Sequence, residues 1–280
     1  MKPMLAFKWQ DHRTKVTYPV LVQPKLDGVR CLYRGGTLQS RSYGQDAPKI
    51  VHESRLIHIR EALQHLPDNI ILDGEIYVHG WSLQKINQQF SVNSTEPRPH
   101  ETQLQYYVFD CIDLNDLAKS QDDRTCYIKT LIQSLNNPTI RDVTSFYATD
   151  EYQVESYFRT FRDHGFEGAI IRDLAAPYGL EHQCGNKENR WKYVLKRKDR
   201  LHEIYEIKEV QEGEGKHLNR LGSLLLALPN GGEVSVGTGF SDSERDSFWA
   251  NPPIGKKAHV KFDSFSDAGV PLKPTFLEII

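Results

Sequence analysis

Gln23-Pro24-Lys25-Leu26-Asp27-Gly28-Val29-Arg30 lies between two apolar alternating runs. Val16, Tyr18, Val20 and Val22 precede it and Val29 to Tyr33 come after it, both with the period of two of half-buried strands. The spacing predicts strands over residues 16–23 and 29–34, with Asp27-Gly28 as a tight chain reversal. A lysine between two core strands belongs at the mouth of a sheet, where an amine close to other cations can serve as a nucleophile. Arg30 returns a fixed cation to the same place. Taken alone, Lys-x-Asp-Gly equally describes a surface lysine beside a hairpin turn. The motifs further along the chain decide between the two readings.

Gly35-Gly36 has hairpin chemistry and leads into a strand over 37–40. Ser40-Arg41-Ser42-Tyr43-Gly44 then reads as a polar turn carrying an arginine. Leu56, Ile59, Leu63 and Leu66 predict a helix over 51–66 that Pro67 ends. Ile70 to Val78 is a buried strand interrupted by Asp73-Gly74-Glu75. Carboxylates inside such a run are costly unless paired or bound to a metal, although an exposed bulge at a strand end would also fit. Ser82 to Phe90 is a short helix and Val92 to His100 a polar loop with Pro97 and Pro99. Leu104 to Ile112 is a strand in which Phe109-Asp110 again sets an acid beside an aromatic. Helices are expected over 122–135 and 150–164, the second with Asp150 and Gln153 as a capping box and Gly165 as its stop.

Glu167-Gly168 opens the strand Ala169-Ile170-Ile171-Arg172. A linker-like segment, 173–189, leads to Arg190-Trp191-Lys192-Tyr193-Val194-Leu195-Lys196-Arg197-Lys198. The period of two puts Lys196 and Lys198 on one face, which is unfavourable unless an anion lies between them. After residue 200 the texture changes to five short strand-like runs (203–210, 223–228, 233–236, 257–262, 275–280) separated by Gly and Asn turns. That pattern predicts a small barrel of the oligonucleotide-binding (OB) kind. The expected division is therefore 1–200 and 201–280.

Composition bounds the function. A chain of 280 residues, 39% hydrophobic and 26% charged, can bury a core in one large or two moderate domains. The net charge of -2 does not point to nucleic acid. The distribution differs, because Lys187, Arg190, Lys192, Lys196, Arg197, Lys198 and Arg200 are opposed only by Glu188 and Asp199, a basic run that can serve a polyanion or simply be a solvated face. The four cysteines show no C-x-x-C pairing and the eleven histidines no metal-ligand spacing, which argues for a reducing compartment and against structural zinc. The expectation is a soluble, cytoplasmic protein with no membrane segment, in which the sequon Asn93-Ser94-Thr95 goes unused. No G-x-x-x-x-G-K-[ST] occurs, so a nucleoside triphosphate would not be held by a P-loop.

In order, Lys25-x-Asp27-Gly28-x-Arg30, the Ser40–Gly44 segment, Asp73-Gly74-Glu75, Phe109-Asp110, Glu167-Gly168 and Lys196-x-Lys198 resemble the covalent nucleotidyltransferase superfamily. Within it, nearly the whole chain resembles ATP-dependent DNA ligases of minimal, phage-like size. The resemblance implies an α+β fold: a nucleotidyltransferase (adenylation) domain of antiparallel sheets with flanking helices, then a β-barrel OB-fold domain. It implies that Lys25 attacks the α-phosphate of ATP and keeps AMP as a phosphoramidate. The AMP then passes to the 5′-phosphate of a nick in duplex DNA, and the 3′-hydroxyl displaces it. Such sealing serves repair, replication and recombination.

On that resemblance Lys196 and Lys198 grip the α-phosphate, and Arg30 and Arg41 orient ribose and phosphates. Glu75 and Glu167 are oxygen ligands suited to Mg²⁺, Phe109 offers a flat face to adenine, and Asp27 helps orient the lysine. Arg190 matches the arginine that precedes the final lysine pair, with Lys192 as a competitor in the alignment. Gln23-Pro24 departs from the family, which often has Glu or Val two places before the lysine, so Gln23 is a candidate for the adenine edge with its contact open. The chain ends at Ile280 without the R-x-D-K tail of larger relatives, so other OB residues are expected to assist self-adenylation. The absence of the N-terminal module of NAD-dependent ligases favours ATP. Gly222-Ser223-Leu224, the 236–242 segment and Pro274-Thr275-Phe276 resemble the OB domain of small DNA ligases, which would clamp duplex DNA through salt-sensitive phosphate contacts, as a monomer. An RNA ligase or capping-type guanylyltransferase, and a non-catalytic OB-fold binding protein, are the alternatives.

Overall fold

The computed structural model describes residues 2–43, 47–93, 95–96, 98–184 and 189–280. Gly44 of the polar turn, Ser94 of the sequon, Pro97, and Lys187 and Glu188 of the basic run lie outside the described residues. The contacts divide the chain after Lys198 into two compact units.

The first unit runs β1 (Leu5–Lys8), α1 (Trp9–His12), β2 (Val20–Lys25), β3 (Val29–Arg34), β4 (Thr37–Tyr43), β5 (Pro48–Ile50), α2 (Ile57–Leu63), β6 (Ile70–Tyr77), α3 (Leu83–Gln89), β7 (Gln105–Asp113), α4 (Gln121–Leu135), β8 (Ile140–Asp142), β9 (Phe146–Ala148), α5 (Glu151–Asp163), β10 (Gly168–Asp173), α6 (Glu181–Cys184) and β11 (Arg190–Arg197). The strands make two sheets, ordered β1-β11-β10-β2-β9 and β5-β4-β3-β6-β7-β8. Pairing is antiparallel except for β1 with β11 and β7 with β8. Helices α2, α3 and α4 contribute to the core under the second sheet, and α5 packs under the first.

The Asp27-Gly28 reversal is not a hairpin. β2 pairs with β10 and β9, whereas β3 pairs with β4 and β6. Residues 26–28 thus carry the chain from one sheet to the other, and Lys25 ends one sheet while Arg30 lies in the next. Gly28 crosses so close to β6 that a Cβ would collide with the Ile76 carbonyl and the Glu75 side chain. β2 starts at Val20, after Pro19, which has no N–H to give a ladder. Pro24 is tolerated inside β2 because β9 pairs only Val20 to Val22, leaving one side of the strand unladdered there.

Other boundaries moved for identifiable reasons. Arg41 lies on β4, which continues to Tyr43 rather than turning at residue 40. α2 starts only at Ile57, because Leu56 adopts a left-handed conformation and Arg60 binds the carbonyls of Arg55, Val51 and His52 before it. β6 is continuous through Asp73-Gly74-Glu75, with a register shift against β7 in place of an exposed bulge. Asp150 caps α5 by accepting from Gln153 N, but Gln153 Oε1 accepts from Thr149 N, so the box is not reciprocal. The 173–184 stretch is no linker, since Tyr178 is buried and Trp191 Nε1 donates to the Pro177 carbonyl.

The second unit contains β12 (Leu201–Glu212), β13 (Leu221–Ala227), β14 (Glu233–Val236), α7 (Asp242–Ala250), β15 (Lys257–Phe262), β16 (Ser264–Phe265), β17 (Pro271–Leu272) and β18 (Thr275–Ile279). β12 serves two neighbours, pairing β15 through residues 201–206 and β13 through residues 207–212. The sheet order β14-β13-β12-β15-β18 leaves β14 and β18 as ends, so a fully laddered barrel is not formed among the described residues. Instead Phe276 N donates to Thr238 O at 2.8 Å, and Phe240 stacks on Phe276 at 4.5 Å. Helix α7, unforeseen in the sequence, starts with the capping box Ser241 and Glu244. Its Arg245 donates to the carbonyls of Leu221, Gly222 and Gly237 at 2.7, 3.0 and 2.8 Å. That grip satisfies carbonyls a closing ladder would otherwise take.

Candidate active site

Lys25 stands at the end of β2, opposite Gly168 at the start of β10. Glu167 N donates to Lys25 O at 3.0 Å, which fixes the two backbones together. Their side chains meet as well, with Lys25 Nζ donating to Glu167 Oε2. Lys198 Nζ donates to the other oxygen, Glu167 Oε1, at 3.2 Å. One carboxylate therefore bridges the early lysine and the last lysine of the late pair. Burial works against the charged form of Glu167, yet Lys25 and Lys198 hold it below the usual carboxylate range. Lys196 is lowered first by burial and then by Arg190, Lys198 and Lys25, so these cations converge on one spot. Arg190 NH1 also donates to Ala6 O at 2.6 Å.

The second sheet supplies the acids. Glu75 pairs with Arg30 across β6 and β3. Burial pushes Glu75 up to about 7, Lys25 and Arg30 oppose that, and Asp73 and Glu167 add to it. Asp73 is fully buried and takes a two-pronged grip from Arg30, Nε to Oδ1 at 2.9 Å and NH2 to Oδ2 at 2.6 Å. Tyr178 OH donates to the same Oδ2 at 2.6 Å. Arg30 is thereby anchored inward.

Phe109 on β7 has the guanidinium carbons of Arg30 and Arg172 at 5.2 and 5.3 Å from its ring centre, within reach of a cation–π attraction. Behind it lies a buried polar network. Asp110 accepts from Arg124 Nε at 2.7 Å and from Arg172 NH1 at 2.8 Å. Burial would raise Asp110, but Arg124 and Arg172 hold it low. Arg172 Nε donates to Gln23 Oε1 at 2.9 Å. Arg124 also donates to the carbonyls of Lys119 and Ala176 at 2.7 and 3.0 Å.

The expected residues therefore fall into groups. Lys25, Glu167, Lys198, Lys196 and Arg190 come together, with Glu75 and Arg30 facing them electrostatically. Asp27 is exposed at the crossing between sheets and acts on Tyr77. Arg41 is exposed on β4. Lys192 is exposed with its ammonium 4.8 Å from the Tyr193 ring. Gln23 is 2% exposed and directed inward. Sequence reasoning missed Arg172, Arg124 and Tyr178. The first stood in a strand already marked by Glu167-Gly168, and a lone arginine ending an apolar run was the available signal.

Among the described residues no three His, Cys, Asp or Glu side chains form a metal cage. A Mg²⁺ ion fits nonetheless, because that ion commonly takes one or two protein carboxylates and completes its shell with water and substrate phosphate oxygens. Glu75 and Glu167 provide two partly buried carboxylates beside the cation cluster.

Lys25 bridged through Glu167 to Lys198, with Lys196 and Arg190 beside them, sits in an α+β unit that a small β unit follows in sequence. A family model described as ATP dependent DNA ligase domain matches residues 3–198, and one described as DNA ligase OB-like domain matches residues 212–279. The chain belongs to the ATP-dependent DNA ligase family. It is 24% identical over 245 residues to a DNA ligase of Methanospirillum hungatei, covering 81% of this chain and 41% of that protein. It is 27% identical over 164 residues to a DNA ligase of African swine fever virus, covering 58% of this chain and 36% of that one. The chain thus spans well under half the length of these relatives. A solved structure from work on DNA binding with a minimal scaffold in Lig E DNA ligases superposes with a TM-score of 0.77 at 23% identity, covering 100% of this chain and 99% of that one.

Proposed function

We propose that the protein is an ATP-dependent DNA ligase that seals nicks in duplex DNA, with Lys25 as the residue that carries AMP. The observation that supports this best is the bridge from Lys25 through Glu167 to Lys198, with Lys196 and Arg190 beside it. Attack on a phosphorus already surrounded by negative oxygens requires those charges to be neutralised as the fifth bond forms. Lys196, Lys198 and Arg190 do this at the α-phosphate, and Arg30 holds its charge nearby through Asp73. Glu167 orients the Lys25 amine. Once Lys25 binds phosphorus, pyrophosphate leaves, and the AMP is held as a phosphoramidate until the 5′-phosphate of the nick takes it. The 3′-hydroxyl then forms the phosphodiester and AMP departs.

Glu75 and Glu167 would hold Mg²⁺, which when bound draws charge from phosphate oxygens. Phe109 offers its ring to the adenine. We assign residues up to about Lys198 to nucleotide chemistry and the rest to grip on the DNA backbone, with the monomer as the working form. The described helices include none long and apolar enough to cross a membrane. Cys31, Cys111 and Cys126 form no disulfide, which fits a cytoplasmic setting.

Incubation with ATP and Mg²⁺ should increase the protein mass by one AMP, and the adduct should seal a nicked DNA duplex after ATP is removed. Labelling from GTP in place of ATP would redirect the reading to a capping-type enzyme, and sealing of RNA nicks alone to an RNA ligase.

A further inference from the structure

The position two residues before Lys25 invites a role in reading the base, but its side chain is already committed. Gln23 is 2% exposed. Its Oε1 accepts from Arg172 Nε at 2.9 Å. Arg172 carries only donors, so the amide orientation is determined by chemistry: oxygen towards Arg172, nitrogen away. Gln23 Nε2 then donates to Ser145 Oγ at 3.0 Å and to the backbone carbonyl of Phe109 at 3.4 Å. An amide nitrogen has two hydrogens, and both have partners.

We propose that Gln23 is a positioning residue: with Arg172 and Asp110 it fixes the strand segment that presents Phe109, and it does not read the base through its own amide. This deepens the ligase reading and rests on it for the identity of the nucleotide. The geometry is specific. Gln23 on β2 holds the Phe109 carbonyl, Arg172 on β10 lies 5.3 Å from the Phe109 ring, and Arg172 NH1 holds Asp110, the next residue along β7. Arg124 on α4 closes the arrangement from the other side of Asp110. The two sheets thus meet at Phe109 through Gln23 and Arg172, and an aromatic platform displaced by an ångström loses much of its stacking. Base selection then falls to other groups around the ring.

The test compares Gln23→Glu, Gln23→Ala and Ser145→Ala in the full chain. Gln23→Glu removes both donors of the amide while keeping its size, and Ser145→Ala removes one partner of Nε2. Readouts are the ATP Kd by calorimetry, KM and kcat for formation of the AMP adduct, the ATP-to-GTP preference, and the melting temperature. Positioning predicts that Gln23→Glu and Gln23→Ala raise Kd and KM about tenfold, the scale of a lost buried hydrogen bond, with kcat within about twofold. It predicts a smaller change of the same sign in Ser145→Ala, a less than additive Gln23→Ala/Ser145→Ala double variant, and an unchanged ATP-to-GTP ratio throughout. A changed nucleotide ratio in the Gln23 variants with Ser145→Ala unaffected would overturn it, because that pattern belongs to direct base contact. A lowered melting temperature with Kd unchanged would also overturn it, by reducing the network to stability alone. If the wild-type protein binds ATP yet forms no adduct, the ligase reading fails, and the Kd comparison still decides the role of Gln23.

Discussion

Two charged regions lie side by side in the first unit and are built on opposite terms. Behind Phe109, Asp110 has no exposed surface and is matched by Arg124 and Arg172, whose remaining donors go to Gln23, Gln121 and backbone carbonyls. At Lys25 the groups are only partly buried, with Lys25, Lys198 and Glu167 side chains 22–23% exposed. Glu75 beside them is pushed up to about 7. The satisfied network is expensive to disturb, because removing one partner strands a buried charge. The open cluster leaves its charges partly accessible to solvent, which the proposed nucleotide site requires.

Four variants test that contrast. Lys25→Ala should abolish the AMP adduct with almost no change in melting temperature; an adduct that persists would move the nucleophile elsewhere. Arg124→Met should do the reverse in kind, lowering stability by about 1–3 kcal/mol because the buried Asp110 carboxylate loses one of its two arginines, as read by urea unfolding. A loss under about 1 kcal/mol would mean the network relaxes freely, against the pattern for buried pairs. Phe109→Ala should raise the KM for ATP about tenfold by loss of a stacking face, with the adduct still formed at saturating ATP. An unchanged KM would remove Phe109 from the nucleotide site.

The smallest effect concerns pH. In metal-free buffer Glu75 stays neutral in the folded protein to about pH 7, whereas an unfolded glutamate ionises near its ordinary value of 4.5. Between those values the unfolded chain releases the proton first, so this group lowers stability as pH rises through the window. Glu75→Gln should remove that decline. Its melting temperature relative to wild type should therefore increase from pH 5 to pH 8, and a constant difference would contradict the upward shift of Glu75.

Much of the candidate site was legible because its charges cluster in short runs. Lys25, Glu75, Glu167, Lys196 and Lys198 each announced themselves as a charge inside or beside an apolar strand. The strands themselves came from alternation, including β3, β6, β7 and the five main strands of the second unit. What could not be read was pairing across sheets. Asp27-Gly28 looks like any reversal until β2 and β3 are seen in different sheets. Tyr178 reaches Asp73 across 105 positions in sequence, and Arg172 reaches Asp110 across 62, distances at which no local pattern carries a signal. Helix α7 escaped because Asp242 to Ala250 is polar on most faces and is held by Arg245 to backbone oxygen, not by an apolar stripe.

Gly168, which faces Lys25 across the ladder, has no side chain, and a Cβ there would strike the carbonyl oxygen of Arg197. Every mutation at that codon that changes the residue must either wedge β10 away from β11 or be rejected. Tolerance profiling across all substitutions should therefore rank this silent position with Lys25 itself, although it contributes no side chain.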